Sequence, residues 1–123
     1  RLHLVKPFGF ELDDTRLKRA GLDYWKHIDV HIYESVEEFF GLNKDKKMVY
    51  LSSKAKKEYY SIDFEDDMFL VFGKESVGLS KDITDKNADR LYTIPMHSTH
   101  IRSLNLANAV SIVVYEGLRN INK

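Results

Sequence analysis

Short apolar runs alternate with helix-like segments along the chain, and this alternation limits the possible folds more than any other feature. Five runs rich in β-branched or aromatic residues are predicted as strands: Leu2–Val5, Val30–Tyr33, Met48–Leu51, Met68–Phe72 and Leu91–Ile94. Such alternation forms a mainly parallel sheet with helices on both faces. The sequence therefore predicts an α/β fold.

A capping box marks the best-defined helix, with Ser35 as N-cap, Glu38 at the third helical position and an end near Leu42. The other predicted helices are Asp13–Ala20 with Asp13 or Asp14 as N-cap, a short helix capped by Ser80, and a long helix from about Leu104 to Ile121. Apolar residues cover almost every face of the last helix between Ala109 and Val114. A helix of that kind is normally buried between layers or between subunits.

Length and composition exclude several classes of protein. A chain of 123 residues has the size of one domain, so we expect residues 1–123 to form a single domain. Nineteen basic residues balance nineteen acidic ones, which excludes a polycation of the histone type. The absence of cysteine excludes a disulfide scaffold and a thiol nucleophile. With no signal peptide or apolar run near the ~20 residues of a membrane span, we expect a cytoplasmic protein without a membrane partner.

Three loops after predicted strands are candidate ligand sites, because parallel α/β sheets bind ligands beyond the carboxyl ends of their strands. They follow Leu51, Phe72 and Ile94. In the second loop, Gly73 permits close approach of a ligand to the backbone, and Gly78 can adopt a positive φ. On spacing alone, an ordinary strand-to-helix turn is the more frequent explanation of this loop.

A polar segment, placed between Pro95 and the long apolar helix, is a second candidate. It contains Arg102, Ser103, Asn105 and Asn108, with Ser103 well placed as N-cap. The two asparagines are three residues apart and share a face of the first helical turns. Capping and loop anchoring explain Ser103 about as well as a functional role does.

Basic and aromatic side chains lie together in a third candidate segment. Lys18 and Arg19 precede Tyr24 and Trp25, a combination that suits a phosphate backbone and a stacked base. A solvated helix face with an aromatic core anchor is the alternative. The six lysines within 44–57 form a charge-patterned surface that we expect to contact RNA weakly.

Metal and hydrolytic chemistry are both disfavoured. His27 and His31 are four residues apart, but on a predicted strand that spacing does not bring two rings together. His97 and His100 lie in a loop without nearby carboxylates. There is no Gly-x-Ser-x-Gly motif, and Ser103 has no obvious histidine base.

The motifs together resemble a known family. Phe72-Gly73-x-Glu75-x-x-Gly78-Leu79, Ile94-Pro95-Met96 and Arg102-Ser103-Leu104-Asn105-Leu106-x-Asn108-Ala109-Val110 resemble the second and third signatures of the SPOUT methyltransferases. Pro7-x-Gly9-Phe10, Asp13-Asp14 and Lys18–Trp25 are similar to the small bacterial tRNA wobble-nucleotide ribose 2′-O-methyltransferases. The resemblance covers essentially the whole chain.

This resemblance implies an α/β knot, in which the C-terminal segment forms a deep trefoil. It implies S-adenosylmethionine as cofactor, held by Leu51, Ser52, Gly73, Glu75, Gly78, Ile94, Met96, Ser103 and Leu104. The residues expected to shape the catalytic site are Arg102, Ser103, Asn105 and Asn108, with no metal. Those expected to bind the anticodon arm of tRNA are Lys18, Arg19, Tyr24 and Trp25. It further implies a homodimer packed through the C-terminal helix.

Two departures from the family pattern qualify the activity expected. Relatives have roughly 25–30 residues before the position that corresponds to Arg1, a length that accommodates one strand, one helix and their connections. An Asn-x-Gly-Asn-x-x-Arg signature lies in that segment. Without it, we expect the 123-residue chain to bind cofactor yet methylate poorly. Ala55 replaces a glycine frequent in relatives, with little expected effect. The alternatives are a non-catalytic tRNA- or cofactor-binding module of SPOUT fold, an inactive truncation of the enzyme, and a flavodoxin-like nucleotide binder.

Overall fold

The computed structural model describes residues 1–6, 29–74, 78–96 and 105–122, which form two compact units, 1–45 and 46–123. The helix predicted over Asp13–Ala20 lies outside the described residues. So do residues 97–104, through which the predicted trefoil would run, and the knot therefore stays a prediction.

The first unit pairs two parallel strands with one helix. Strands β1 (Leu2–Val5) and β2 (Val30–Tyr33) pair in register from Leu2 opposite Val30 to Val5 opposite Tyr33. Helix α1 spans Val36–Leu42. The Ser35 hydroxyl accepts a hydrogen bond from the Glu38 backbone N–H at 3.1 Å, which confirms the predicted N-cap. The Glu38 carboxylate accepts from the backbone N–H of Glu34, one residue before the cap.

The second unit contains a four-stranded sheet, in which every neighbouring pair of strands is parallel. Its strands are β3 (Met48–Leu51), β4 (Lys57–Glu58), β5 (Phe69–Phe72) and β6 (Leu91–Thr93), and their order across the sheet is β4-β6-β3-β5. Its helices are α2 (Lys81–Lys86), capped by Ser80 as predicted, and α3 (Leu106–Ile121). The parallel pairing confirms the predicted α/β class.

The core of this unit lies between β3 and α3. All four residues of β3 are buried, as a continuous apolar run in a parallel sheet predicts. Val49 and Leu51 pack in one cluster with Ile62 and with Val113, which has no exposed surface. This cluster fixes the carboxyl end of β3, where the first candidate loop begins.

Helix α3 differs from prediction at its start and in its burial. It begins at Leu106 with Asn105 as N-cap, two residues later than predicted, so the assignment of Ser103 as N-cap is wrong. Asn105 Oδ1 accepts hydrogen bonds from the backbone N–H groups of Ala107 at 2.9 Å and Asn108 at 3.3 Å. Two acceptor-bearing residues precede the same apolar run, and the local sequence does not distinguish them. Only Val113 and Gly117 of α3 are buried in the single chain.

Candidate functional site

Three strands end side by side at one edge of the second unit. Leu51 at the end of β3 is in register with Phe72 of β5 on one side and with Tyr92 of β6 on the other. Because all three strands are parallel, Ser52, Gly73 and Ile94 leave the sheet at this carboxyl edge. The structure therefore brings together the three loops that sequence analysis selected.

A tight turn follows β3. The backbone N–H of Ser52 donates to the carbonyl of Tyr92 at 2.9 Å, which extends the β3–β6 pairing by one residue. The Ser52 hydroxyl accepts from the Lys54 N–H at 3.2 Å, and its carbonyl accepts from the Ala55 N–H at 3.2 Å. The hydroxyl and carbonyl of Ser52 thus stabilise the turn, and the backbone N–H of Ser52 holds the start of the turn beside β6.

The loop after β5 closes on itself. Lys74 and Gly78 form an isolated antiparallel bridge, in which the Gly78 N–H donates to the Lys74 carbonyl at 2.8 Å. Gly78 has φ of +71°, the left-handed conformation that its sequence position suggested. A Cβ on Gly73 would overlap the backbone of Gly78 and Leu79. Gly73 therefore makes a close approach to the protein's own backbone, which sequence analysis did not foresee, and the approach of a ligand there stays a prediction.

The loop after β6 supplies an apolar wall. Ile94, Pro95 and Met96 are half-buried, and Ile94 packs against the core cluster that contains Leu51. Apolar side chains beside backbone polar groups are the usual lining of a site for a small molecule that contains an aromatic ring system. Leu51, Ile94 and Met96 have this character and lie at or just beyond the ends of their strands.

The first turn of α3 carries two of the predicted catalytic residues. Asn105 and Asn108 are both exposed, and the Asn105 side chain caps the backbone N–H of Asn108. Asn105 therefore has a structural role that accounts for its side-chain oxygen. The remaining predicted site residues lie outside the described residues: Glu75, Arg102, Ser103, Leu104, Lys18, Arg19, Tyr24 and Trp25.

Sequence analysis missed β4, the outermost strand on the β6 side of the sheet. Lys57 of β4 is in register with Tyr92, its ammonium group lies 4.7 Å from the centre of the Tyr92 ring, and it donates to the Asp89 carbonyl. A Lys-Glu pair has no strand propensity, and the pairing comes from β6. In the sequence, the one feature that could have indicated a strand here is the position of Lys57 between an apolar strand and the Tyr59-Tyr60 pair.

The described residues limit the chemistry available at this edge. Burial raises the pKa of Tyr50, although the nearby Arg90 opposes the shift, so this phenol stays protonated at neutral pH.

Within residues 1–6, 29–74, 78–96 and 105–122, no three His, Asp or Glu side chains are grouped so that they could hold a metal ion. No helix in the same part of the chain combines the length and apolarity needed to cross a membrane.

Comparison with known proteins identifies the family. The SpoU rRNA Methylase family matches residues 1–115. A relative from Bacillus subtilis (strain 168) is 45% identical over 98% of this chain and 77% of its own length, and it is provisionally named a tRNA (cytidine(34)-2′-O)-methyltransferase. A Saccharophagus degradans protein, named tRNA (cytidine(34)-2′-O)-methyltransferase, is 39% identical over 98% of this chain and 79% of its own length. The chain belongs to the SpoU rRNA methylase family.

Solved structures agree with this SpoU-family assignment. One, described as giving insights into "the 2-OH methylation of C/U34 on tRNA", has a TM-score of 0.89 and 36% identity, and the match covers 98% of this chain and 78% of that chain. Another, an AdoMet-bound rRNA methyltransferase from Sinorhizobium meliloti, has a TM-score of 0.76 and 26% identity over 96% of this chain and 45% of that chain. The chain is thus a SpoU-family methyltransferase, and its family uses S-adenosylmethionine.

Proposed function

We propose that this SpoU-family protein methylates the ribose 2′-hydroxyl of the wobble nucleotide, position 34, in tRNA anticodons. The observation that carries the proposal is the whole-length similarity to proteins named for that reaction, together with the meeting of three strand ends at one edge. A non-catalytic module of the same fold would retain the cofactor loops and lack turnover, and an activity assay separates the two.

The carboxyl edge fits S-adenosylmethionine by its chemistry. Ile94 and Met96 offer half-buried apolar surface, and the turn that begins at Ser52 leaves the sheet at the same edge, held by its own hydrogen bonds. The cofactor supplies a methyl group bonded to a sulfonium, which is electrophilic without any metal. We assign its binding to Leu51, Ser52, Gly73, Glu75, Gly78, Ile94, Met96, Ser103 and Leu104. Gly73 contributes by allowing the Gly73–Gly78 loop to close.

The reaction needs the ribose oxygen held in line with the methyl group and help in removing the hydroxyl proton. The new C–O bond replaces the C–S bond, the hydroxyl proton is released, and S-adenosylhomocysteine remains. We assign the shaping of this site to Arg102, Ser103, Asn105 and Asn108. Asn105 and Asn108 begin α3, so the helix start is adjacent in sequence to the proposed cofactor residues Ser103 and Leu104.

The partners of the reaction follow from the same assignment. Lys18, Arg19, Tyr24 and Trp25 combine positive charge with aromatic rings, which suits binding to the anticodon arm. Since its proposed substrate is tRNA, we propose that the enzyme acts in the cytoplasm. We also propose that residues 1–123 act as one methyltransferase domain, since the family match spans most of that length.

The exposed face of α3 supports a homodimer. Val114, Leu118 and Ile121 follow the i, i+4, i+7 spacing of one helix face and form an exposed apolar stripe, and Tyr115, next to Leu118 on the helix surface, is 72% exposed. A groove of about 170 Å³ lies beside the stripe, with Leu118 and Ile121 in its lining. An exposed apolar stripe of this length is typical of a protein interface. A second copy of the chain is the partner we propose.

Sedimentation velocity tests the homodimer. We expect the chain to sediment as a dimer at high micromolar concentration and the Leu118→Glu variant to sediment as a monomer. Leu42→Glu is the matched control, because Leu42 is a leucine of another helix, α1, and is 67% exposed where Leu118 is 46% exposed. A stable monomer of the unsubstituted chain would contradict the proposal.

Transfer of a labelled methyl group tests the reaction itself. The substrates are two synthetic anticodon stem-loops that differ only at position 34, one with cytidine and one with 2′-deoxycytidine. We expect label in the first and none in the second, with transfer unaffected by EDTA. Equal labelling of both RNAs would show that the methyl acceptor is not the 2′-hydroxyl of nucleotide 34.

A further inference from the structure

Two lysines of the turn after β3 have no anchoring partner. Lys54 and Lys56 are exposed, and their ammonium groups make no ion pair or hydrogen bond with the residues that the structure describes. Neighbouring lysines differ. Lys57 is held by the Asp89 carbonyl and the Tyr92 ring, and Lys47 is paired with Glu65. Lys54 and Lys56 are thus the cations of this segment that are available to an external anion.

The turn that carries these lysines lies at the carboxyl edge. Leu51 and Lys57 are both in register with Tyr92, so residues 52–56 leave β3 and return to β4 at the same level of the sheet. The hydrogen bonds to Ser52 fix the first part of the turn. Both ammonium groups therefore extend from the loop that begins with the proposed cofactor residue Ser52.

An exposed aromatic ring lies on the same side. Strand β4 is parallel to β6, so the short 3-10 helix that follows it, Tyr59–Ser61, starts at the carboxyl edge. Tyr60 is 55% exposed and stands edge-to-face with Tyr59 at 5.3 Å between ring centres. Tyr59 packs against the core cluster, and the Ser61 hydroxyl donates to the Glu58 carbonyl at 2.7 Å. The Tyr60 ring is therefore presented to solvent from a braced turn.

We propose that Lys54, Lys56 and Tyr60 form an RNA-binding surface, the Lys54–Tyr60 surface, for the single-stranded nucleotides beside the reacting ribose. The lysines bind backbone phosphates and Tyr60 stacks on a base. Positive charge next to an exposed aromatic ring is the combination that single-stranded RNA requires, since every nucleotide offers one phosphate and one ring face. This inference rests on the proposed function, and it adds RNA contacts to those proposed for Lys18, Arg19, Tyr24 and Trp25.

The salt dependence of RNA binding tests the lysines. Fluorescence anisotropy with a labelled anticodon stem-loop is measured over a series of KCl concentrations for the full chain and for the Lys54→Gln/Lys56→Gln variant. Each lost phosphate contact lowers the slope of log affinity against log salt by about 0.7–0.9, so the double variant loses about 1.4–1.8. We expect S-adenosylmethionine affinity by calorimetry to stay unchanged.

A matched control separates position from charge. Lys46 is an exposed lysine just before β3, at the opposite end of the strand from Lys54. The proposal narrows the RNA contact expected of the six lysines within 44–57 to those at the carboxyl edge, so Lys46→Gln should leave the salt slope unchanged. Tyr60→Ala is expected to weaken RNA binding about 5- to 150-fold, the measured range for loss of one stacked base, whereas Tyr60→Phe keeps the affinity.

The outcomes distinguish this inference from the proposed function. Slow transfer is the expected result for this chain, so the decisive failure is its complete absence. If the unsubstituted chain does not bind the stem-loop and transfers no methyl group even at high enzyme concentration, the proposed function fails and the inference fails with it. If it binds and methylates while the double variant keeps the full salt slope, the inference alone is overturned. A loss of slope of about 0.7–0.9 in Lys46→Gln, the same per lysine as in the double variant, also overturns it, because the attraction would then be general.

Discussion

Substitution of Gly73 tests whether this glycine is required for the close packing of its own chain, in the Gly73–Gly78 loop, or for a bound ligand. The Cβ of Gly73→Ala would overlap backbone atoms of Gly78 and Leu79, and backbone atoms cannot rotate away as a side chain can. Overpacking of this kind costs about 1–3 kcal/mol, and we expect the upper end because the obstacle is main chain. With a urea m-value of about 1.5–2 kcal/mol per M, a loss of about 3 kcal/mol lowers the unfolding midpoint by about 1.5–2 M.

The assay is urea unfolding without cofactor, with two other glycines as controls. Gly41 in α1 has no atom within 4 Å of an added Cβ, so Gly41→Ala should stabilise the chain by about 0.5–1 kcal/mol. Gly78 is equally open but has φ of +71°, and Gly78→Ala should cost about 1–2 kcal/mol of backbone strain. A Gly73→Ala variant with the wild-type midpoint and weakened S-adenosylmethionine binding would refute this reasoning, because the glycine would then serve the ligand alone.

Three further substitutions test the packing, the helix cap and the pH dependence. Asn105→Ala should cost about 1 kcal/mol of stability in urea unfolding, and Asn105→Asp should restore it; loss of turnover in the capped Asp variant would show a separate catalytic role. Val113→Ala should cost about 2–3 kcal/mol because the side chain is fully buried, and the half-exposed neighbour Val114 should lose much less; equal losses would contradict the core assignment. Burial, followed by the neighbouring His31, lowers the pKa of His3 below its ordinary value of 6.5. Near and below pH 6.5 the unfolded chain therefore binds more protons than the folded chain, and the free energy of unfolding falls as the pH drops. Urea midpoints at pH 7.5 and 5.5 should differ more for the unsubstituted chain than for His3→Gln, and equal differences would exclude His3 as the source.

The strands and the capped helix α1 could be predicted because local rules specify them. β-branched and aromatic runs predicted β3 and β5 to within one residue, and the capping box predicted the start of α1, whose predicted end near Leu42 also agrees. Strand β4 could not be found in this way, since Lys57 and Glu58 pair only because β6 offers an edge beside them. Because this pairing depends on a strand distant in sequence, it cannot be predicted from Lys57 and Glu58 alone.

The candidate site, too, could be predicted only in part. Its position at the ends of β3, β5 and β6 followed from the parallel topology, which the apolar runs already indicated. The roles of single residues did not follow. A glycine before a turn predicts a close approach but not its partner, and Gly73 approaches Gly78. Likewise, Ser103 and Asn105 are both good caps by residue type, and only the structure shows that Asn105 is the N-cap of α3.

The central claim, methylation of the wobble ribose in tRNA, is tested most directly in cells. Mass spectrometry of tRNA digests compares a strain lacking the gene with the same strain carrying it on a plasmid. We predict that nucleotide 34 of a subset of tRNAs lacks the ribose methyl group in the first strain and regains it in the second. Full 2′-O-methylation at position 34 in the strain without the gene, or a methyl group restored only at another nucleotide, would contradict the account.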